Sequence, residues 1–282
     1  MPIIEIEGAR IAYAEAGRGE TALLLHSSAS SGAQWRSLTE ILRGRWRVLA
    51  PDLPGYGQTD QPPGLRAPGL AAEAALIETL LPDSAERIHL VGHSFGAAAA
   101  LRFAADRPHR LLSLTLIEPV AFHLLRGAPK GAAEHALFRE VIDLAADMTQ
   151  AAADGDGPRG MARFIDYWNG EGAWRRMRPE AQAALVQQTA RVALDFRAVM
   201  TDPTWLEALR AITAPALVLR GSASPGPTRR IAALISQVMP DARLQTIEGA
   251  GHMLPLTHAE AVNAAIVEHI SRSAAAGQRP AA

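Results

Sequence analysis

The chain of 282 residues contains no cysteine. That excludes disulfides, thiolate zinc sites and cysteine nucleophiles. It also lacks an excess of either charge: 28 Lys and Arg face 29 Asp and Glu, for a net charge of −1. No long basic run appears, so neither nucleic acid nor an anionic membrane surface is expected as the main partner. No run of about eighteen apolar residues exists, so no segment is expected to span a bilayer. The opening residues Met1-Pro2-Ile3-Ile4-Glu5-Ile6-Glu7 have no basic region followed by an apolar core. They do not read as a signal peptide, and a cytoplasmic chain is the default expectation. There is no internal repeat. The length suffices for one large α/β domain with an insertion.

The first hundred residues alternate between strand and helix patterns. Pro2 to Glu7 and Ala9 to Ala16 read as strands turning at Gly8, and Thr21 to Leu25 as a short buried strand. Gly32 to Leu42 reads as a helix with Ser31 at its N-cap. Arg47 to Ala50 is the next strand, Ala71 to Leu81 a helix ended by Pro82, and Leu112 to Ile117 a strand closed by Pro119. Continuous apolar strands alternating with helices predict an α/β fold with a mostly parallel sheet covered on both faces. From His123 to Trp205 strand patterns vanish, and helices are expected over Glu134 to Ala152, Gly160 to Asn169 and Pro179 to Met200. This span, 123–205, reads as an inserted helical cap, leaving 1–122 and 206–282 as the core. The alternation then resumes: strand Pro215 to Arg220, helix Pro227 to Val238, strand Arg243 to Ile247, helix Ala259 to Ser271. The end, from Ser273 to Pro280, lacks apolar periodicity and is expected to fray.

Within this pattern, Gly92-His93-Ser94-Phe95-Gly96 carries the most chemistry. It follows the strand-like Arg87-Ile88-His89-Leu90-Val91 and runs into the helix-forming Ala97 to Ala104. Strand, G-x-S-x-G, helix is the context of a nucleophile elbow, in which a strained Ser94 projects its Oγ above the sheet edge. Side chains two residues to either side would strike the neighbouring strand and helix, which explains the glycines.

Three further segments converge on that edge. Leu23-Leu24-Leu25 leads into His26-Ser27-Ser28-Ala29-Ser30-Ser31-Gly32. Backbone N–H groups of such a loop can form half of an oxyanion hole, the N–H of Phe95 supplying the rest. The same loop also reads as a Ser-rich turn with capping hydroxyls. Ile247-Glu248-Gly249-Ala250-Gly251-His252 ends the last strand in a Gly-flanked loop bearing one histidine. His252 is the candidate base, in a chain whose nine histidines are otherwise free to be structural. His26 and His93 read as scaffolding. A Ser–His pair needs a carboxylate to orient the imidazole. Glu118 follows the strand beside the elbow strand, where sites of open α/β sheets form; a capping or solvated glutamate is the alternative.

Taken together, the His26 loop, Pro51-Asp52-Leu53-Pro54-Gly55-Tyr56-Gly57, the Ser94 elbow and Gly249-Ala250-Gly251-His252 resemble an α/β-hydrolase fold serine hydrolase over nearly the whole chain. Two departures stand out. Members of that family usually carry His-Gly at the oxyanion loop, where Ser27 stands here. Their acid usually lies three residues after the glycine ending the seventh strand; in Gly221-Ser222-Ala223-Ser224 that place is taken by Ser224. Some members, haloalkane dehalogenases among them, carry the acid after the sixth strand, and Glu118 matches that variant. Those enzymes use an aspartate nucleophile, so Ser94 argues against dehalogenation and epoxide hydrolysis.

The resemblance implies a carboxylesterase with Ser94 as nucleophile, His252 as base, Glu118 as orienting acid, and the N–H groups of Ser28 and Phe95 as oxyanion donors. It implies no cofactor and no metal, with a small, apolar ester as partner. Ser27, Phe122, His123, Phe164, Tyr167, Trp168, Trp174 and Met253 are candidates for the substrate pocket, although aromatic residues equally build cores. A meta-cleavage type C–C bond hydrolase, a lactonase, a cofactor-free haloperoxidase and a non-enzymatic, hydrolase-like small-molecule receptor are the alternatives.

Overall fold

Short runs rich in Val, Ile and Leu build the sheet. The computed structural model describes residues 2–6, 9–61, 69–81, 83, 86–126 and 133–277. Eight strands lie in it: β1 (Ile3–Ile6), β2 (Ala9–Ala16), β3 (Thr21–Leu25), β4 (Arg47–Pro51), β5 (Ile88–His93), β6 (Leu111–Ile117), β7 (Ala216–Gly221) and β8 (Ala242–Ile247). They form one sheet in the order β1-β2-β4-β3-β5-β6-β7-β8. β1–β2 and β2–β4 are antiparallel, and every pair from β4 to β8 is parallel. The expected turn at Gly8 and the stop at Pro82 lie outside the described residues.

The parallel strands are apolar on both faces because both faces are covered. Side chains alternate between two cores as the pleat requires. Leu23, Leu25, Leu90, Leu114, Leu116 and Val218 enter one core, Ala22, Leu24, Val91, Ile117, Leu217 and Leu219 the other. Helices α1 (Arg36–Leu42) and α11 (Ala259–Gly277) close the second core with Leu38, Leu42, Val262 and Ile266. Helices α2 (Leu70–Thr79), α3 (Phe95–Asp106) and α9 (Gly226–Val238) close the first. The short α10 (Leu254–Thr257) follows the β8 loop.

Between β6 and β7 the described chain is helical: α4 (His123–Arg126), α5 (Ala133–Asp154), α6 (Gly157–Asn169), α7 (Pro179–Val186) and α8 (Thr189–Thr201), with short 3₁₀ turns between. Phe164, Trp168, Phe196 and Val199 from this insertion join the first core.

The elements depart from the sequence reading in three places. The stretch Pro179 to Met200, read as one helix, is two, broken at Gln187–Gln188. Thr189 Oγ1 donates to the Val186 carbonyl at 2.7 Å, a local bond that takes up a helix-end acceptor. Ser31 precedes a 3₁₀ turn, Gly32–Trp35, and its side chain makes no cap bond. The tail does not fray at Ser273: α11 runs to Gly277, with Ser273 and Ala274 buried. Alanine's helix propensity carries it there without a periodic pattern.

Candidate active site

The β5–α3 turn places Ser94 at φ 55°, ψ −116°, a region that costs a non-glycine residue roughly 1–3 kcal/mol. The turn is tight enough to demand its glycines. A Cβ on Gly92 would lie 2.4 Å from the Gly96 carbonyl oxygen, and one on Gly96 would lie 2.5 Å from those of Leu25 and His26. The Ser94 N–H is held by the Ile117 carbonyl at 2.9 Å. Phe95 is the first residue of α3, so its N–H has no intrahelical acceptor and stands at the positive end of the helix.

One strand over, the chain leaves β6 at Glu118 with φ 49°, and the Glu118 N–H bonds to Leu219 O at 2.9 Å. Among the described residues, Ala29, Ser94 and Glu118 are the non-glycine residues with positive φ. All three stand at the carboxyl edge of the parallel strands, so backbone strain is concentrated at one place.

The β8 loop brings His252 across this edge. Its Nε2 lies 2.9 Å from Ser94 Oγ, and its Nδ1 lies 3.1 Å from Glu118 Oε2. The other Glu118 oxygen accepts from the Gly221 N–H and from Ser224 Oγ, both at 2.7 Å. Burial pushes the Glu118 carboxyl upward, but His252, the Gly221 N–H and the Ser224 hydroxyl together outweigh it and hold the group below its ordinary value. Ser224, at the place where the family's acid usually stands, is thus a hydrogen-bond donor to Glu118. Asp202 pairs instead with Arg102 at 2.9 Å, and Asp241 meets the sheet through its backbone carbonyl, which accepts from Ala216 N–H.

Other bonds fix the loops. His93 Nε2 lies 2.9 Å from the His252 carbonyl, which can only accept, so this nitrogen carries the proton. Its Nδ1 then accepts from Gln34 Nε2 at 3.1 Å. Gln34 Oε1 in turn accepts from the Ser27 N–H and hydroxyl. His26 is held likewise, Nδ1 donating to Ser27 O at 2.7 Å and Nε2 accepting from Leu53 N–H at 2.8 Å. Burial pushes His26 down to about 4 and His93 down to about 3, so both stay neutral. Gln34 gave no signal in the sequence, because its role lies in contacts distant along the chain.

The helical insertion supplies the other half of the surroundings. Trp168, at the end of α6, stacks on His252 with ring centroids 3.9 Å apart and planes at 27°. Asp195 on α8 accepts from Ser28 Oγ and Tyr56 OH, both at 2.5 Å. Arg191, one turn earlier, lies 3.0 Å from Asp195 and donates to Glu73 at 2.7 Å. All three charged groups are buried. Burial pushes Glu73 up to about 7, with Arg191 opposing. This cluster too was invisible in the sequence.

Among the described residues, two cavities meet at Ser94. The larger, about 500 Å³, is lined by Ser27, Ser28, Ser94, Phe164, Trp168, His252 and Met253 among others. The smaller, about 20 Å³, is lined by Ser28, Ser94, Phe95, Phe122, Phe164, Trp168, Asp195 and Phe196 among others. Tyr167 lines a separate cavity on another side of His252 and donates to Glu140 at 2.7 Å. Two pocket candidates face elsewhere. His123 is buried, with Nδ1 at 3.1 Å from the Val199 carbonyl, and Trp174 packs against the core while its backbone N–H donates to Asp166 Oδ1; neither lines the two cavities at Ser94. Among the described residues, no group of three or more His, Asp or Glu is placed to hold a metal ion.

The comparisons with known proteins agree with this architecture. The chain is 29% identical over 258 residues to an uncharacterized protein of Mycobacterium tuberculosis, covering 88% of this chain and 74% of that one. It is 36% identical over 120 residues to a dihydrolipoyllysine-residue acetyltransferase component of the acetoin cleaving system of Cupriavidus necator, which is 42% of this chain but 32% of that protein. In structure it resembles a thermophilic esterase from Thermogutta terrifontis with a TM-score of 0.75 at 24% identity, over 97% of this chain and 99% of that one. Since the profile described as the alpha/beta hydrolase family matches residues 22–265, which span strands β3 to β8 and the whole helical insertion, the chain belongs to that family.

Proposed function

We propose that the protein is a serine hydrolase that cleaves carboxylic esters through an acyl-enzyme. The observation that carries the reading is the unbroken hydrogen-bond chain from Ser94 Oγ through His252 to Glu118. Ser94 Oγ attacks the acyl carbon while His252 Nε2 takes its proton. The carbonyl oxygen becomes an oxyanion held by the N–H groups of Ser28 and Phe95, where losing one donor costs roughly 100- to 1000-fold in rate. The tetrahedral species collapses, the C–O bond to the alcohol breaks, and His252 returns the proton to that oxygen. Water then repeats the sequence on the acyl-enzyme, releasing the acid and free Ser94.

Glu118, acceptor-only when ionised, fixes the proton on Nδ1 so that Nε2 is free to accept. Residues 123–205 act as a cap whose Trp168 covers the imidazole face and shields it from water. Support for an ester comes from the esterase among structural neighbours. Ser94→Ala should fold normally, lose nearly all hydrolysis of p-nitrophenyl butyrate, and lose labelling by a fluorophosphonate. Retained ester hydrolysis in that variant, or wild-type labelling at another residue, would refute the assignment. Preferred turnover of a ring-fission diketone over every ester would move the reading to C–C bond hydrolysis.

A further inference from the structure

We infer that, as an ester hydrolase of the kind proposed above, the protein selects short acyl groups of about two or three carbons carried on bulky alcohols. The inference comes from how the two cavities divide the space around Ser94. Both contact Ser94 and Ser28, but His252 lines the larger and not the smaller. The leaving oxygen must come within hydrogen-bond reach of His252 Nε2 to receive its proton. The alcohol therefore points into the cavity of about 500 Å³, past Ile165, Met177, Leu185, Met253 and Leu256. The acyl chain, on the opposite side of the reacting carbon, points into the cavity of about 20 Å³.

That volume holds little more than one water or methyl-sized group. Its walls are interlocked. Phe122 stacks on Phe196 at 6.4 Å and 10°, and Phe164 meets Phe196 edge-on at 6.1 Å and 88°. Val120 and Val199 fill the gaps. Asp195, already engaged by Ser28, Tyr56 and Arg191, lines the same cavity. A longer chain would have to displace packed rings and then press apolar carbon against a buried carboxylate, so the pocket has no apolar floor into which to extend.

The test is kcat/KM for p-nitrophenyl acetate, propionate, butyrate and octanoate, and for the acetates of ethanol and 2-phenylethanol, whose leaving abilities are similar. A single misfit methylene is worth about 10- to 200-fold, so octanoate should fall at least 100-fold below acetate. 2-Phenylethyl acetate should exceed ethyl acetate. Val199→Ala, or Val120→Ala if the first does not fold, should raise the butyrate-to-acetate ratio about fourfold, one methylene being worth about 0.8 kcal/mol. Octanoate cleaved as well as acetate, or a folded variant with an unchanged ratio, overturns the inference and leaves ester hydrolysis standing. A protein that cleaves none of these esters overturns both.

Discussion

Glu118 shows how much chemistry one side chain fixes. Its two oxygens do different work: Oε1 is saturated by the Gly221 N–H and the Ser224 hydroxyl, and Oε2 alone faces His252 Nδ1. In Glu118→Gln the amide oxygen would stay with the two donors and the NH₂ would turn to His252. The imidazole would then have to accept at Nδ1 and carry its proton on Nε2, where it blocks removal of the Ser94 proton. A comparable change in a well-known triad costs about 10⁴-fold, so kcat should fall by roughly 100-fold or more with little change in KM. Ser224 Oγ lies beside the acid, 2.7 Å from Oε1. Adding Ser224→Asp to Glu118→Gln should therefore restore part of the lost rate, which steady-state kinetics of the single and double variants will measure. A fully active Glu118→Gln, with Asp202→Asn or Asp241→Asn inactive, would contradict the assignment.

The element that ties the insertion to the core is α8. Arg191 and Asp195 sit one turn apart on it and reach Glu73 on α2, Tyr56, and Ser28 in the loop beside Ser94. Arg191 is the one cation between two buried carboxylates. Arg191→Met would leave both uncompensated, and breaking such a buried pair costs about 3–5 kcal/mol. The urea midpoint should drop accordingly; a midpoint equal to the wild type would mean that the cluster rearranges freely. This link also marks the boundary of what was legible in the sequence. Strands β3, β5 and β6 were readable because apolar runs bounded by Gly and Pro are local signals. Ser94 and His252 were readable because the elbow and the Gly-flanked loop are local as well. Glu118 was readable from its place after the strand beside the elbow strand, and Ser224 where a carboxylate is usual pointed the same way. By contrast, Ser28 and Asp195 stand 167 positions apart, and nothing in the periodicity of Thr189 to Thr201 says which of its polar residues turns inward. The stack of Trp168 on His252 and the relay Ser27–Gln34–His93 were hidden for the same reason. The break at Gln187–Gln188 was missed because neither Gly nor Pro marks it.

At the scale of the whole molecule, buried neutral histidines make the fold sensitive to acid. His26 and His93 each accept a hydrogen bond at one ring nitrogen and donate at the other. A second proton would turn each acceptor nitrogen toward another donor and place a charge where no water reaches. Burial accordingly lowers His26 to about 4, His93 to about 3 and, on α11, His269 to about 4. In the unfolded chain these groups titrate near the ordinary value of about 6.5. Between that pH and about 4 the unfolded state binds protons that the folded state refuses, so unfolding becomes easier as pH falls. Their contribution to stability is fully present above about 6.5 and erodes through the window below it. The depressed Glu118 adds a loss of the same sign only at lower pH, below the ordinary carboxylate range. The urea midpoint should therefore begin to fall near pH 6.5 and decline towards pH 4.5, with Glu73, raised to about 7, taking up a proton in the same window and offsetting part of the histidine loss. His93→Gln supplies a neutral side chain that can still bond Gln34 or the His252 carbonyl, and it should flatten that decline while lowering stability at pH 7.5. A midpoint constant from pH 7.5 to 4.5 in the wild type would show that the buried histidines take up protons without unfolding the chain.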